Sequence, residues 1–383
     1  MSEARINSLS NENDTGGPTI SGITTFSGTN YFVPPVGNTA QRPENPQKGE
    51  LRFNTNTKHL EYYRGDTIGW VEVEASNVEL DGGHRGLFQG GDNPALSPSQ
   101  RKTVDYVTIS TLGNAIGFGD LNVGRSWCTQ GLSSRTRAIC AGGFTSPTLT
   151  DEIDYVTISS TGDYVDFGNL FDSRLSGAGA SSATRGLFCG GNPANNATKT
   201  DGAEYITIAS TGHGKDFGDI VTATASMGGN IQSTTRAFFF GGYTPSNVNK
   251  IEYFITATLG DAVDFGDLST VAGNVPAGFS NSTRGVRAGG NAPSAVNTMD
   301  YITMASEGNA QDFGDLANAT SATAGAASSP TRGVIAGTDK SPSPQGDVIE
   351  YVQIPTTGNA VDFGVLSEHR SHANGVSNGH GGL

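Results

Sequence analysis

Short segments with a two-residue alternation or an entirely apolar character recur along most of the chain, and turns rich in glycine and asparagine separate them. In EYITIAS, residues 204 to 210, Tyr205 and Thr207 fall on one face of a strand and the isoleucines fall on the other. RGLFCGG, residues 185 to 191, is apolar on both faces, which is typical of a strand enclosed between neighbouring sheets. The pattern predicts an all-β protein with few helices.

One pattern of about 50 residues recurs six times from residue 84 onward. The common pattern is an apolar strand that begins with Arg and, in five of the six copies, ends in Gly-Gly, then an acidic residue before Tyr, then a Phe-Gly pair. A unit of this length cannot bury both faces of its own sheet, so the units must stack. The recurring aromatic residues are Phe118, Phe167, Phe217, Phe265, Phe313 and Phe363.

The two ends of the repeat region complement each other. Arg125 and Arg174 lie seven residues after the Phe of their unit, and Arg370 lies seven residues after Phe363, so we expect a strand near 370–377. The apolar strand that should follow it is missing there but is present at the front, as residues 84–91. We therefore predict that these two segments pair and close residues 84–383 into a six-bladed β-propeller without free sheet edges.

The repeat resembles the kelch repeat. The similarity lies in a strand ending in Gly-Gly, a strand with an acid and Tyr, and a strand with one large aromatic, followed by Arg and small residues. It covers about three quarters of the chain and implies a propeller. Phe replaces the Trp of kelch repeats in all six units, and the last unit has Gly337-Thr338 instead of the glycine pair. At these glycines we expect positive φ angles and close backbone approach.

The front of the chain has a different character. Residues 1–46 form a polar arm with an apolar island, ITTFSGTNYFVPP, and residues 47–83 form a small β module and linker. Its predicted strands are LRFN, HLEYY and WVEVEA, with turns at 54–58 and 64–69. So small a sheet buries its large apolar residues only against another surface, such as copies of itself or a virion. Those residues are Phe53, Leu60, Tyr62 and Trp70.

The passage GITTFSGTNYFVPPVGNTAQRP, followed by KGELRFNTNTKHLEYYRG and Trp70, resembles N-terminal segments of tail-fibre and neck-associated structural proteins of tailed phages, especially those of cyanobacteria. Repeats ending in DFGDL are similar to the C-terminal parts of the same group. The resemblance implies a virion protein of the tail, neck or capsid surface, made in the host cytoplasm. It also implies that residues 1–75 attach to other virion proteins, often as a homotrimer. The expected attachment residues are Phe26, Tyr31, Phe32, Pro34 and Pro35.

Charge and cysteine content exclude several classes of function. A formal net charge of −14 repels nucleic acid and anionic membrane surfaces, and no apolar run is long enough to insert into a membrane. The segment 1–20 lacks the features of a secretory signal. Three cysteines without a close pair indicate neither a disulfide framework nor a zinc site, and we expect them to be small core residues.

Each unit also carries an arginine and an acid that could form a ring of functional charges. Because the pair recurs in every unit, we instead expect interstrand ion pairs that hold the sheets. The arginines are Arg85, Arg137, Arg185, Arg236, Arg284 and Arg332. The acids are Asp105, Asp154, Glu204, Glu252, Asp300 and Glu350.

Motifs that suggest catalysis or metal binding have simpler interpretations. The Asp-Phe-Gly triplets follow the repeat period and lack the other motifs of a kinase, and Arg64-Gly65-Asp66 is an ordinary turn between strands. Four histidines, His84, His369, His372 and His380, fall near the predicted closure, where hydrogen bonding is favoured over a metal site. We expect no cofactor, no metal and no enzymatic activity.

The variable connections after each glycine pair are the better candidates for binding, because function on such folds sits in loops. They span residues 92–104, 144–153, 192–203, 243–251, 291–299 and 338–349, on one rim. Expected ligand-binding residues are Asn195, Asn196, Tyr243, Asn247, Asn249 and Asp339. Aromatic residues outside the repeat pattern, which could be ligand platforms or core, are Trp127, Tyr164, Phe171, Phe279 and Tyr243.

Three functions remain open at this point. The first is a non-catalytic virion protein whose propeller binds a host-surface component, such as a glycan or a protein. The second is a purely structural neck, tail or capsid decoration protein. The third, a glycan-cleaving enzyme, is disfavoured because no carboxylate pair stands apart from the repeat.

Overall fold

The chain divides into two compact units, Met1–Asn77 and Val78–Leu383. The computed structural model describes residues 34–73, 84–128, 131–193, 199–322, 325–337, 339–340 and 346–383. Both units are built from strands, and the one helix among these residues is the short 3₁₀ turn Thr39–Gln41. The predicted all-β class is therefore confirmed. The described part of the chain holds no helix with the length and apolarity required for a bilayer crossing.

The N-terminal unit contains one four-stranded sheet, whose strands occur in the order of the sequence. Its strands are Val36–Gly37, Leu51–Asn54, His59–Tyr63 and Trp70–Val73. The last three coincide with the strands predicted from the pattern. The first pairs in parallel with Phe53 and Asn54, so the end of the predicted arm belongs to this sheet.

The two faces of this small sheet differ in chemistry. One face buries Glu61, which accepts hydrogen bonds from Arg42, Arg52 and Asn54. Trp70 lies on this polar face beside both arginines, not with the apolar residues as the sequence suggested. The other face is apolar and partly exposed, and carries Leu51, Phe53, Leu60, Tyr62, Val71 and Val73.

In the described part of the C-terminal unit there are six antiparallel sheets of three to five strands, numbered here in chain order by their apolar strand. Sheet 1 has strands Asn374–Ser377, Arg85–Gln89, Thr103–Thr108 and Ile116–Asp120. Sheet 2 has Arg137–Ala141, Glu152–Thr157 and Val165–Asn169. Sheet 3 has Ala178–Ser181, Arg185–Cys189, Gly202–Thr207 and Lys215–Asp219.

The remaining sheets follow the same order of strands. Sheet 4 has Gly228–Gln232, Arg236–Phe240, Lys250–Ile255 and Val263–Asp267. Sheet 5 has Ala277–Ser280, Arg284–Ala288, Val296–Thr303 and Gln311–Ala322, to which Asp339–Lys340 adds a fifth strand. Sheet 6 has Ala326–Ser328, Arg332–Ala336, Val348–Gln353 and Val361–Val365. A separate ribbon joins Arg174–Leu175 to Asn192–Pro193.

The recurring Phe-Gly pair forms a bulge in the last strand of each sheet. In sheet 2, Asp166 pairs with Asp154 and Gly168 pairs with Ile153, so Phe167 is the extra residue. The Phe167 ring is buried against Tyr155, with its centroid 5.7 Å away. The same register shift occurs in the other five sheets. The bulge turns each phenylalanine into the space between neighbouring sheets.

Glycine follows each of these phenylalanines because the next sheet lies against it. Gly168 has a φ of 149°, and a Cβ atom there would overlap the carbonyl of Gly212 in the next sheet. Gly212 N in turn donates to Phe167 O at 2.8 Å. A larger residue would therefore meet both backbone strain and a steric clash.

Sheet 1 is assembled from distant parts of the sequence. Asn374–Ser377 pairs antiparallel with Arg85–Gln89, with Val376 opposite Leu87. The strand begins at residue 374 rather than 370, and the Arg370 side chain is buried against Asp105 of sheet 1. Sheet 6 also contacts sheet 1 as earlier sheets contact their successors: Gly113 N donates to Phe363 O at 3.0 Å.

The glycine pairs have the backbone conformation predicted from the sequence. Gly190 and Gly191 have φ angles of 62° and 98°. A Cβ atom on Gly190 would come within 2.5 Å of the Thr224 carbonyl. The expected positive φ and close approach are both confirmed. All three cysteines are buried and free, as expected of small core residues.

The predicted ion pairs between each first arginine and the acid of its unit are wrong. Arg185 instead stacks on Tyr205, with its guanidinium carbon 4.9 Å from the ring centroid, and donates to Thr256 O in the next sheet at 3.0 Å. The other five arginines of the series make equivalent contacts. The acids face the opposite side of the strand, where other arginines reach four of them. Those ion pairs are Arg125–Asp154, Arg174–Glu204, Arg287–Asp300 and Arg370–Asp105.

Candidate functional site

A chain of backbone hydrogen bonds joins the segments that enter five of the six sheets. Ser176 N donates to Trp127 O at 3.0 Å, and Ser226 N donates to Ser176 O at 2.9 Å. Val275 N continues the series to Ser226 O, and Trp127 N donates to His372 O. Each of these five residues has a φ between 54° and 59°, so the chain turns sharply at the same place in each unit.

A cavity of about 500 Å³ lies against this series. Its volume is within the range of small-molecule sites. The lining residues are Trp127, Phe144, Leu175, Ser176, Asn192, Lys199, Ala225, Ser226, Tyr243 and Asn274. We call this cavity the Trp127–Tyr243 pocket.

Trp127 is held rigidly at one wall of the pocket. Its ring stacks on His372, with 3.6 Å between ring centroids and 23° between ring planes. Burial lowers the pKa of His372 to about 4, so the imidazole is neutral near pH 7. A neutral, fixed partner keeps the indole in one orientation, as a stacking platform requires.

Tyr243 and Lys199 form another wall. Tyr243 is 45% exposed, and the Lys199 ammonium lies 4.6 Å from the centre of its ring. The Tyr243 backbone is fixed by reciprocal hydrogen bonds with Ala225, of 2.7 and 3.1 Å. Among the described residues that line the pocket, Lys199 is the one that carries a charge. These residues therefore combine aromatic surface, amide and hydroxyl groups, and a positive charge.

The strands and bulges recur in every unit, but the residues that line the pocket differ from one unit to the next. The residue after the glycine pair is Asp92, Phe144, Asn192, Tyr243 and Asn291 in the first five units. Three of these, Phe144, Asn192 and Tyr243, line the pocket. At the sharp turn, Trp127 stands where the next two units carry Ser176 and Ser226. The strands and turns would accept the same residue at these positions in every unit. Different residues at equivalent positions are therefore expected of a binding site.

The ligand-binding residues expected from the sequence lie in different places in the structure. Tyr243 lines the pocket, but Asn247 and Asn249 do not. Asn247 Nδ2 donates to Asn291 O at 2.7 Å and so ties two loops together, while Asn249 O accepts from Leu268 N. Asn195 and Asn196 lie outside the described residues, as does the side chain of Asp339.

The other aromatic candidates divide in the same way. Trp127 lines the pocket, whereas Tyr164 and Phe279 are buried in the core and Phe171 is exposed away from the pocket. Lys199 was not among the residues expected from the sequence to bind a ligand. The signal available was its position as the cation of a variable loop, residues 192–203, in an acidic protein.

The attachment residues expected at the front are only partly described. Phe26, Tyr31 and Phe32 lie outside the described residues. Pro34 and Pro35 lead into the small N-terminal sheet, and Pro35 O accepts a hydrogen bond from Phe53 N at 2.8 Å. Asp66 of the Arg-Gly-Asp tripeptide accepts a hydrogen bond from the Tyr63 hydroxyl within a turn.

Within the described ranges, no group of His, Cys, Asp or Glu is arranged to hold a metal ion. His380 is buried and hydrogen bonds to Ser133 O at 3.1 Å, and His369 accepts from Gly346 N at 3.2 Å. The lining residues that the structure describes include no carboxylate. Their chemistry is that of stacking, hydrogen bonding and attraction of an anionic group.

A scan of protein-family models and a search of curated proteins find no match for this chain. The fold and the pocket nevertheless define a class, an all-β repeat protein with several four-stranded antiparallel sheets and an asymmetric pocket built on its repeats.

Proposed function

We propose that this chain is a non-catalytic appendage protein of a phage particle, a fibre or host-recognition protein that binds a host-surface glycan in the Trp127–Tyr243 pocket. In this proposal the front of the chain attaches to other virion proteins, and residues 84–383 form a closed six-bladed kelch-like β-propeller. The pocket is the observation that supports glycan binding. The resemblance of the front segment to phage fibre proteins supports the assignment to a virion.

Three series of contacts support the closed arrangement. The sheet-to-sheet hydrogen bond between a glycine N–H and the carbonyl of the recurring phenylalanine occurs six times, with Gly113 and Phe363 as one of the pairs. The guanidinium of the first arginine reaches the next sheet in every unit, and Arg332 reaches Ile109 O. Ser133 Oγ donates to Ser377 O at 2.8 Å. A closed ring leaves no sheet edge open to aggregation.

The chemistry of the pocket supports a sugar as ligand. Aromatic faces stack on the apolar face of a sugar ring, and Asn192, Ser176 and Ser226 supply groups that can hydrogen bond to hydroxyls. Lys199 favours a sugar that carries a carboxylate or sulfate. Many copies on one particle would convert weak contacts into firm attachment.

Binding of the full-length protein to a glycan array, which includes acidic polysaccharide fragments, tests the pocket. We expect Tyr243→Ala to weaken binding by about tenfold, which corresponds to ~1.4 kcal/mol. Phe171→Ala is the matched control, because Phe171 is an exposed aromatic outside the pocket. Absence of glycan binding, or equal losses in both variants, would contradict the pocket assignment.

The virion part of the proposal has its own experiment. Antibodies against the purified protein should label particles of the virus that encodes it. Mass photometry of the full chain should give a trimer, of three times 39.6 kDa. Unlabelled particles would contradict the assignment to the virion, and a monomer would contradict the trimer.

A purely structural decoration protein is the second candidate. The observation that favours it is the apolar face of the N-terminal sheet, where Leu51 and Val73 are 41% and 38% exposed. Such a face suits packing against another protein. If Leu51→Ser abolishes incorporation into particles while particles without the protein still adsorb to cells, this structural function is favoured over host recognition.

A further inference from the structure

Four of the six sheets contain a buried guanidinium that bonds to the acid before tyrosine and to at least one backbone carbonyl. Arg125 donates through Nη2 to Asp154 and through Nη1 to the carbonyls of Gly142 and Glu152, at 3.4 and 3.0 Å. The acceptors are the acid before tyrosine, the first glycine of the pair, and the residue two positions before the acid. Arg287 of sheet 5 uses the same three acceptors. Arg174 of sheet 3 donates to the acid and to the first glycine, and Arg370 of sheet 1 donates to the acid, to Thr103 O and to Phe88 O.

The arginine need not come from the same place in the sequence. In sheets 1 to 3 it comes from the segment that enters the sheet. In sheet 5 that position is Ala272, and Arg287 from the neighbouring strand fills the site instead, with Nη1 bonded at 3.1 Å to both Gly289 O and Thr298 O. A guanidinium therefore occupies this site in sheet 5, although its arginine comes from a different position of the repeat.

Sheet 4 has the acceptors without the arginine. Thr224 occupies the position from which Arg174 comes in sheet 3, and Phe239 occupies the position of Arg287 in sheet 5. Glu252, the acid of this sheet, is 4% exposed and accepts a hydrogen bond from Val221 N at 3.1 Å. It forms no ion pair with any residue that the structure describes, Lys250 included.

The missing side chain leaves a cavity of about 150 Å³ beside Glu252. Its lining includes Thr224, Gly241, Lys250 and Glu252, which correspond in position to Arg125 and its three acceptors in sheet 2. A buried carboxylate without a cation is unfavourable, and a guanidinium is the cation whose planar fork fits a carboxylate and two carbonyls together.

We propose that this cavity, the Glu252 site, binds a guanidinium group from outside the chain. The group belongs either to an arginine side chain of a partner protein or to a small guanidino compound. The ligand would take the place that Arg125, Arg174, Arg287 and Arg370 occupy in their own sheets. The site is separate from the Trp127–Tyr243 pocket, because the two share no lining residue.

Thermal unfolding of the full-length protein with methylguanidinium chloride tests the proposal, with tetramethylammonium chloride at equal ionic strength as the control. We expect methylguanidinium at millimolar concentration to raise the melting temperature by about 2 °C or more, because a ligand of the folded state stabilises it. Tetramethylammonium should not. No difference between the two salts overturns the proposal.

Two variants locate the response. Glu252→Gln should abolish it, while Glu307→Gln, which changes an exposed carboxyl of the next repeat unit, should retain it. Thr224→Arg should raise the melting temperature without ligand and remove the response, because it restores the ion pair of the other sheets. A Glu252→Gln protein that still responds to methylguanidinium would place binding elsewhere and overturn the proposal, even if Thr224→Arg fails to fold.

N-acetylarginine amide and N-acetyllysine amide then distinguish the sources of the group. Stabilisation by the arginine amide indicates that a peptide side chain can enter the site. Stabilisation by methylguanidinium alone indicates a small guanidino compound. Equal stabilisation by the lysine amide would show that the site binds any cation and does not distinguish a guanidinium from an ammonium group. This result would overturn the assignment to guanidinium.

Discussion

Arg370 and Asp105 form a buried ion pair across 265 positions of sequence, with 2.9 Å between Nη2 and Oδ2. Both side chains are inaccessible to solvent. Ser367 adds a hydrogen bond from its hydroxyl to Asp105 Oδ1 at 2.6 Å. The pair therefore ties the C-terminal strand region to the sheet formed by the first unit of the repeat.

Loss of this pair should destabilise the protein strongly. We expect Arg370→Met to lower the free energy of unfolding by about 3–5 kcal/mol, because it leaves the Asp105 carboxylate buried without its cation. Denaturant unfolding measures the change. Arg101→Met is the control: Arg101 pairs with Glu368 at 3.0 Å in a partly exposed position, so its loss should cost below about 1 kcal/mol. Similar costs for the two variants would contradict the prediction.

The glycine after the recurring phenylalanine should not tolerate a side chain. Gly266 has a φ of 148°, and a Cβ atom there would lie 2.5 Å from the Gly308 carbonyl oxygen. We expect Gly266→Ala to destabilise by about 1–3 kcal/mol. Gly117, in the corresponding strand of sheet 1, has open space around its Cβ position. Gly117→Ala should therefore unfold at nearly the denaturant concentration of the wild type.

Hydroxyl groups that bridge neighbouring sheets should contribute measurably. Ser280 Oγ donates to Gln232 O at 2.9 Å and accepts from Gln232 N at 3.0 Å, in a fully buried position. Ser280→Ala leaves both backbone groups unsatisfied, so we expect a loss of about 1–3 kcal/mol in unfolding free energy. Ser110→Ala, at an exposed turn, should stay within about 0.5 kcal/mol of the wild type.

Acidification should destabilise the protein through His372. Burial lowers its pKa to about 4 in the folded state, against about 6.5 in the unfolded chain. Between these values the unfolded state binds more protons, so stability falls as the pH falls, by up to about 1.4 kcal/mol per pH unit. His372→Phe keeps an aromatic partner for Trp127 and removes the titration. Urea midpoints at several pH values between 7 and 4 should then fall less steeply for the variant, and equal slopes would contradict the prediction.

The sequence predicted the elements of the fold well because they are local or periodic. The period of the Phe-Gly pair predicted a series of similar sheets. The glycine pair predicted the positive φ angles of Gly190 and Gly191. The position of Arg370 after Phe363 predicted a strand that pairs with the front of the repeat, and Asn374–Ser377 does pair with Arg85–Gln89. The repeat can be recognised in this single chain, because its six units can be compared with one another.

The partners of the charged residues could not be assigned in the same way. Sequence spacing indicates that an arginine and an acid recur together, but not which side of the strand each faces. Arg185 was expected to pair with the acid of its own unit, yet it stacks on Tyr205 while Arg174 reaches Glu204. The acid and the tyrosine are adjacent in the strand, so their side chains point to opposite faces.

Alternation, repeat period and backbone geometry are enough to predict the β class, the repeat and the positions where only glycine fits. Which side chains converge depends on the packing of the folded sheets. Trp127, Lys199 and Tyr243 come from different units and meet in one pocket, and Glu252 faces a cavity where the neighbouring sheets have a guanidinium. The physical reason is that side-chain convergence depends on how separate sheets pack, and this information is distributed over the whole chain.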